Sequence, residues 1–261
     1  MRALPLLLLV LLLGCATTRA SGPPPQTAPA GPPEAAAPGA SGEASPEEQA
    51  FTADYENAVT LAEKNDLAGA YDLLAKRGAA LEATGRFDLA SICWNTTTWV
   101  RWAQGDLTGA LAENTHLAQS LARSDVEAQK VLNLHYVWDR AYLLRDRADK
   151  VPPGERAKAL ADAEAMREEY HHIAPADDPS GAAVLDAYFA WRAGDATAAA
   201  AAARRADLAN DKDAQDLYIA ALALEAAGDR ATADKLRAHI GEARYMMPPL
   251  LRHWRESSSN R

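Results

Sequence analysis

The chain has 261 residues, 36 of them acidic and 27 basic, so its formal net charge is −9. This balance argues against nucleic acid as a partner, because binding phosphates requires a basic surface. The acidic side chains are spread along the predicted helices, as on an ordinary solvated surface.

The N-terminus carries a short apolar segment that ends in a cysteine. The run LPLLLLVLLLGC is too short for a spanning helix, which needs about 20 apolar residues, and suits a signal peptide. Its end, Leu12-Leu13-Gly14-Cys15, resembles the lipobox of bacterial lipoproteins. The resemblance implies removal of residues 1–14 and lipid on the Cys15 thiol. The alternative is an ordinary secretory signal with an incidental cysteine.

The position after the lipidated cysteine implies a location. In the sorting rule that the resemblance carries over, Asp at this position retains a lipoprotein at the inner membrane, whereas here it is Ala16. We therefore expect an outer-membrane lipoprotein that faces the periplasm, with no cofactor besides the covalent lipid. Cys93 is then the single remaining cysteine, and we expect a small buried hydrophobic side chain there.

Residues 15–44 are predicted to form a tether. After Cys15 they consist almost wholly of Ala, Pro, Gly, Ser and Thr, with no large apolar side chain to bury. A fully extended polyproline II chain rises about 3.1 Å per residue, which gives this segment a reach on the order of 90 Å. Such a tether holds a domain away from the membrane surface.

The folded domain is predicted over residues 45–247 and is all-α. Ser45-Pro46-Glu47-Glu48 combines an N-cap, a proline at the first helical position and a capping-box glutamate. Ala, Leu, Glu and Arg dominate from there on, and breakers recur about every 20 residues. The pattern predicts about ten helices joined by short turns, which makes consecutive helices antiparallel hairpins.

Four six-residue segments of similar sequence punctuate this domain. They are NDLAGA, GDLTGA, GDATAA and GDRATA. The first residue suits the left-handed end of a helix, the Asp caps the next helix, and the final Ala permits close approach of a neighbouring backbone. The residues concerned are Asn65, Asp66, Ala70, Gly105, Asp106, Ala110, Gly194, Asp195, Ala199, Gly228, Asp229 and Ala233.

These segments resemble the turns of tetratricopeptide repeats. In that family a Gly-Asp turn joins helices A and B of a unit of about 34 residues, and a small residue follows five positions after the Gly. The resemblance implies an α-solenoid whose A helices line a peptide-binding groove. Residues 125–180 fit it poorly, because the helix predicted over 125–148 is long and the loop around Pro152 interrupts the period.

The segment FDLASICWNTTTWVRW has two stripes at helical spacing. One is apolar and includes Cys93, while the second is a candidate partner groove that carries Trp94, Asn95, Thr98, Arg101 and Trp102. A similar stripe on the long helix includes His135, Trp138 and Tyr142. The alternative for both stripes is burial between neighbouring helices.

The remaining motifs indicate neither a metal site nor a catalytic site. Adjacent His171 and His172 point about 100° apart on a helix and rarely bind one ion, so we expect no metal site. No phosphate loop, dinucleotide motif or Gly-x-Ser-x-Gly appears, which predicts a protein that is not an enzyme. The C-terminal residues 248–261 are expected to cap the repeats through Leu250, Leu251 and Trp254, or else to act as a docking peptide.

Together these patterns predict a membrane-anchored interaction scaffold or assembly factor of the bacterial cell envelope. Its partner would be another envelope protein, bound in the helical-repeat groove, with the membrane bound through lipid. The alternative is a small-ligand-binding or enzymatic domain with a pocket between the Trp-rich helices.

Overall fold

The computed structural model describes residues 44–175, 180–208 and 214–240, and the architecture below refers to these ranges. They contain ten α-helices and no β-strand, which confirms the prediction of an all-α fold of about ten helices. The helices are α1 (Pro46–Glu63), α2 (Leu67–Ala83), α3 (Phe87–Ala103), α4 (Leu107–Leu121), α5 (Val126–Ala148), α6 (Pro153–Ile173), α7 (Ser180–Ala193), α8 (Ala196–Ala203), α9 (Ala214–Ala226) and α10 (Arg230–Ile240).

Several sequence predictions fall outside these ranges. They are the signal peptide, the lipidation of Cys15, the tether over 15–44 except its last residue, and the C-terminal cap or docking peptide over 248–261.

The predicted capping box at the start of α1 is confirmed. The Ser45 hydroxyl accepts from the Glu48 backbone N–H at 3.2 Å, and the Glu48 carboxylate accepts from the Ser45 backbone N–H at 2.8 Å. The bond from the Ser45 backbone is the largest cause that lowers the pKa of Glu48. Both groups would otherwise be unpaired at a helix N-terminus.

The four recurring turns have the predicted geometry. Asn65 has φ 66°, and the three turn glycines have φ between 78° and 86°, the left-handed region that glycine enters without strain. Each Asp accepts a hydrogen bond from the backbone N–H three residues later, at 2.8–3.3 Å. The four alanines are fully buried. They are Ala70, Ala110, Ala199 and Ala233.

A fifth turn of this kind joins α2 to α3. Gly85 has φ 79°, but Arg86 stands where the other turns have Asp, and it makes no cap with its side chain. Its guanidinium bonds Asp88 and Glu48 instead. The α5–α6 pair lacks such a turn, as predicted, and α6 begins at Pro153, where its fixed φ suits the first helical position.

The helices form two layers. Each helix packs on the next along the chain, and the odd-numbered helices α1, α3, α5, α7 and α9 also contact one another in that order. The odd-numbered helices therefore make one layer, which we call the A layer, and the even-numbered helices make the other. The junction in the middle differs, because α6 packs closely on α5 and only lightly on α7.

The core consists of two hydrophobic clusters. One spans α1 to α5 and includes Phe51 and Cys93, and the other runs from Trp102 to Ile240. Tyr136 packs against both clusters. Cys93 is fully buried, and burial raises the pKa of its thiol to about 12, as expected for a hydrophobic packing position.

Candidate functional site

The two stripes proposed for a partner groove are largely buried. At least nine-tenths of each of seven residues is inaccessible to solvent, so in this structure the stripes contribute to helix packing, as in the alternative interpretation. The physical reason is that α3 has neighbours on several sides, namely α2, α4, α5 and α1. The seven are Trp94, Asn95, Thr98, Trp102, His135, Trp138 and Tyr142.

Trp94 is held between α2 and α4. Its indole N–H donates to Glu82 Oε1 at 3.0 Å, and its ring stacks on His116 with centroids 3.9 Å apart. The side chain is therefore fixed by a polar contact on one helix and a ring contact on the other. Trp94 therefore contributes to the packing of α3 against α2 and α4, and its side chain is not accessible to a partner.

Arg101 is the exception, since its side chain is 31% exposed. The Arg101 Cζ atom lies 3.8 Å from the centroid of the Tyr71 ring, and Arg101 Nη1 lies 3.4 Å from Asp106 Oδ2. A side-chain hydrogen bond with Tyr71 is the largest cause that raises the pKa of Arg101. The Tyr71 hydroxyl donates to Glu113 at 2.7 Å. These contacts lie toward α2 and α4, which separates Arg101 from the tryptophans that face α5.

Two indole–carboxylate bonds join α3 to α5 within the A layer. Trp99 Nε1 donates to Asp139 Oδ2 at 2.7 Å, and Trp102 Nε1 donates to Asp146 Oδ2 at 3.0 Å. Both carboxylates are buried, and a buried carboxylate needs such donors to offset its lost hydration. The bonds fix the register of two helices that run in the same direction.

Asp146 also connects α5 to α7. The Tyr188 hydroxyl donates to Asp146 Oδ1, and Arg192 Nη1 lies 2.6 Å from the same oxygen. Arg192 Nε further donates to Asp149 Oδ2 at 3.0 Å, and Arg145 Nη1 donates to Asp149 Oδ1 at 2.8 Å. We call Trp99, Trp102, Asp139, Asp146, Tyr188 and Arg192 the A-layer polar cluster.

Tyr188 of this cluster and the neighbouring Asp149 both have shifted pKa values. Burial and the negative charge of Asp146 hold the Tyr188 pKa well above 10, so the phenol stays protonated and donates. Burial opposes ionisation of Asp149, but hydrogen bonds from Arg145 and Arg192 lower its pKa overall. The cluster is therefore suited to positioning three helices and to holding charge, with Tyr188 as donor and Asp149 as carboxylate.

Two buried polar groups lie one helical turn before the Trp99–Asp139 bond. Asn95 is 4% exposed, and its Oδ1 has no hydrogen-bond partner within the described residues. His135 is 6% exposed, and burial alone lowers its pKa to about 4, so its ring is neutral. Asn95 lies on α3 four residues before Trp99, and His135 lies on α5 four residues before Asp139.

Sequence reasoning missed Tyr188 and Arg192 as members of the cluster. The sequence feature that could have revealed Tyr188 is its position relative to the turn. Trp99 lies six residues before Gly105, and Tyr188 likewise lies six residues before Gly194. Equivalent positions of successive A helices face the same layer, so aligning the units on their turns points to Tyr188.

The histidine pair occupies the last turn of α6, and His171 Nε2 lies 2.8 Å from Asp186 Oδ1. In the part of the chain that the structure describes, no three His, Cys, Asp or Glu side chains are arranged to hold a metal ion. None of the described helices combines the length and apolar composition needed to cross a bilayer.

The fold and this cluster define an all-α protein of stacked helix pairs with a polar, aromatic A layer. Comparisons with protein-family models, with curated proteins and with solved structures each returned no match for the chain.

Proposed function

We propose that this protein is a membrane-anchored interaction scaffold or assembly factor of the bacterial cell envelope, working by binding without catalysis. The observation that supports it most is the side-by-side arrangement of α1, α3, α5, α7 and α9 in one layer. Stacked helix pairs present continuous surfaces of this kind, and repeat proteins use such surfaces to bind partners.

The proposed anchor rests on the sequence. The lipobox-like Leu12-Leu13-Gly14-Cys15 would supply the lipid, and residues 15–44 would form the tether. Several acyl chains on one cysteine give stable membrane binding, at about 0.8 kcal/mol per buried CH₂. A domain on such a tether would reach partners at a distance from the outer membrane while remaining attached to it.

The proposed contact surface is the accessible part of the A layer. Tyr55, Trp99 and Trp191 belong to this layer and are each partly exposed, unlike Trp94 and Trp102. Partly exposed tryptophan and tyrosine side chains are the residue types most often responsible for binding energy at protein interfaces. Trp99 is the best anchor of the three, because its bond to Asp139 holds the ring in one orientation.

Site-specific photo-crosslinking in the native envelope tests this surface. A photoreactive phenylalanine analogue replaces Trp99 in one variant and Lys76, which is exposed on α2, in the other. We expect one covalent adduct of defined mass from position 99 and none from position 76, with equal helicity of both variants by circular dichroism. Equal adducts from both positions, or no adduct from either, would contradict the proposal.

A second candidate function is a small-ligand-binding or enzymatic domain. The observation that favours it is the burial of two polar side chains, Asn95 and His135, with no partner for Asn95 Oδ1 among the described residues. Such a domain would bind its ligand when purified alone, whereas the scaffold requires an envelope partner. Loss of ligand binding in Asn95→Leu and His135→Leu variants, with unchanged crosslinking from position 99, would identify this candidate.

A further inference from the structure

A cleft opens between α6 and α7, at some distance along the chain from the Trp-rich segment. It exists because α6 packs on α5 and only lightly on α7. Its volume is about 680 Å³, within the range of about 300–1,000 Å³ that is usual for small-molecule sites. The lining residues used below are Arg145, Arg156, Leu160, Arg167, Phe189 and Ala190.

Arg145 is the unusual member of this lining. It is only 3% exposed, and its one hydrogen bond within the described residues runs from Nη1 to Asp149 Oδ1 at 2.8 Å. A guanidinium has five N–H donors, and the Nε and Nη2 donors of Arg145 are not among the fully buried, unpartnered polar atoms of the described residues, so they keep contact with solvent. Because Arg145 is part of the cleft lining, an acceptor in the cleft can reach these two charged donors.

The positive charge around Arg145 is not balanced by its neighbours. Asp149 is also contacted by Arg156, at 3.3 Å, and by Arg192, which additionally pairs with Asp146. Among the ion pairs of the described residues, three guanidinium groups thus share these two carboxylates, which favours an anion at this end of the cleft.

The acidic side chains in the cleft wall do not cancel this charge. Glu164 and Asp186 both pair with Arg167, and Asp186 also accepts from Arg205 at 2.7 Å. The cleft wall also contains apolar residues, among them Leu160, Phe189 and Ala190. The cleft therefore has a cationic end and an apolar wall.

We propose that this cleft binds an organic carboxylate with an apolar body. The carboxylate would accept from Arg145 Nε and Nη2, the fork that matches a carboxylate in two parallel hydrogen bonds, with Arg156 at the rim. The apolar body would lie against Leu160 and Phe189. Two sources have this chemistry: a free aliphatic acid, and the C-terminal carboxylate of a peptide with an apolar last residue.

Calorimetric titration of the purified full chain tests the proposal. The probes are hexanoate and acetyl-Ala-Leu with a free carboxylate, each compared with its uncharged amide. Because an amide lacks the charge that strengthens these hydrogen bonds, we expect the amides to bind at least about tenfold more weakly than the acids. Binding of hexanoate alone identifies a free acid, and binding of the peptide alone identifies a peptide terminus. Failure of both acids to bind overturns the proposal.

Three variants locate the site. Arg156→Gln should weaken binding of the acid several-fold, and Arg145→Lys, which keeps the charge without the fork, should weaken it about tenfold. Arg147→Gln is the matched control, since Arg147 is exposed on the same helix as Arg145 and lies outside the cleft lining. This variant should bind the acid with the same affinity as the parent protein. Equal affinities of all three folded variants would overturn the assignment to this cleft.

Discussion

Gly78 lies on α2 against the ring of Trp94, where the space is too small for a side chain. An ideal Cβ at this position would lie 2.9 Å from Trp94 Cζ2 and 3.2 Å from Cys93 Cβ. Trp94 is not free to move aside, because it bonds Glu82 and stacks on His116. The missing side chain thus allows α2 and α3 to pack closely.

Gly78→Ala is expected to destabilise the protein. Helix propensity alone would favour alanine by about 1 kcal/mol, but overpacking a core typically costs about 1–3 kcal/mol. The expected net result is a lower thermal midpoint by differential scanning calorimetry. Gly154→Ala is the control, because no atom lies within 4 Å of its ideal Cβ, and it should be neutral or slightly stabilising. A higher midpoint for Gly78→Ala would contradict the steric argument.

His135 predicts an acid sensitivity. Burial lowers its pKa from 6.5 to about 4, so the unfolded chain takes up a proton near pH 6.5 that the folded chain accepts only near pH 4. The stability that neutral His135 contributes is complete above pH 6.5 and is lost as the pH falls, by on the order of 3 kcal/mol at pH 4.

Urea unfolding at pH 7 and pH 4.5 measures this effect. His135→Gln should lose less stability on acidification than the parent protein. His172→Gln is the control, since His172 is exposed in the last turn of α6, and it should keep the parent's pH dependence. If His135→Gln and the parent lose equal stability, His135 is not the group responsible.

At the scale of elements, one carboxylate joins three helices of the A layer. Asp146 on α5 accepts from Trp102 of α3 and from Tyr188 of α7, and it pairs with Arg192 of α7. The rings of Tyr142 and Tyr188 also contact each other at this junction, with their centroids 4.6 Å apart. Because α6 packs only lightly on α7, these contacts are important for joining the first six helices to the last four.

Arg192→Met should weaken this junction. Both charged groups of the Arg192–Asp146 pair are buried, and removal of one partner from a buried pair typically costs about 3–5 kcal/mol. In a double-mutant cycle with Asp146→Asn, we expect a coupling energy of at least about 1 kcal/mol. Arg204→Met is the control, because its pair with Asp229 is largely exposed, and it should cost much less stability than Arg192→Met. Equal losses for the two arginine variants would show that the junction does not depend on this pair.

At the scale of the whole molecule, the helical domain and its proposed anchor are separate parts of the chain. The described helices begin at Pro46, whereas the lipobox-like segment ends at Cys15. The described helices have their own core in two hydrophobic clusters. Membrane attachment and folding should therefore respond independently to mutation.

Cys15→Ser is expected to release the protein from membranes. The substitution removes the thiol that would carry lipid, and the protein should move from the membrane pellet to the soluble fraction after cell fractionation. The release should be nearly complete, because stable anchoring by acyl chains needs at least two of them. Cys93→Ser, which changes the other cysteine, should stay in the pellet. Continued pelleting of Cys15→Ser would contradict the anchor.

Features set by short stretches of sequence were predictable. The left-handed turn at Asn65 and the caps by Asp106 and Asp195 depend only on residues within one or two helical turns. The all-α class and the long fifth helix follow from propensity and from the spacing of breakers, which are local as well.

The candidate site depended on tertiary structure. Helical periodicity placed Trp94, Asn95 and Trp102 on one stripe of α3, but periodicity does not tell whether a stripe faces solvent or another helix. Only the packing of α2, α4 and α5 around α3 buried it. Likewise, Asp146 meets Tyr188 and Arg192 more than 40 residues further along the chain, a contact that no local pattern specifies. The sequence by itself thus determined the helices and their turns, whereas the choice of buried faces and polar partners was made by helix packing, because burial depends on every neighbour at once.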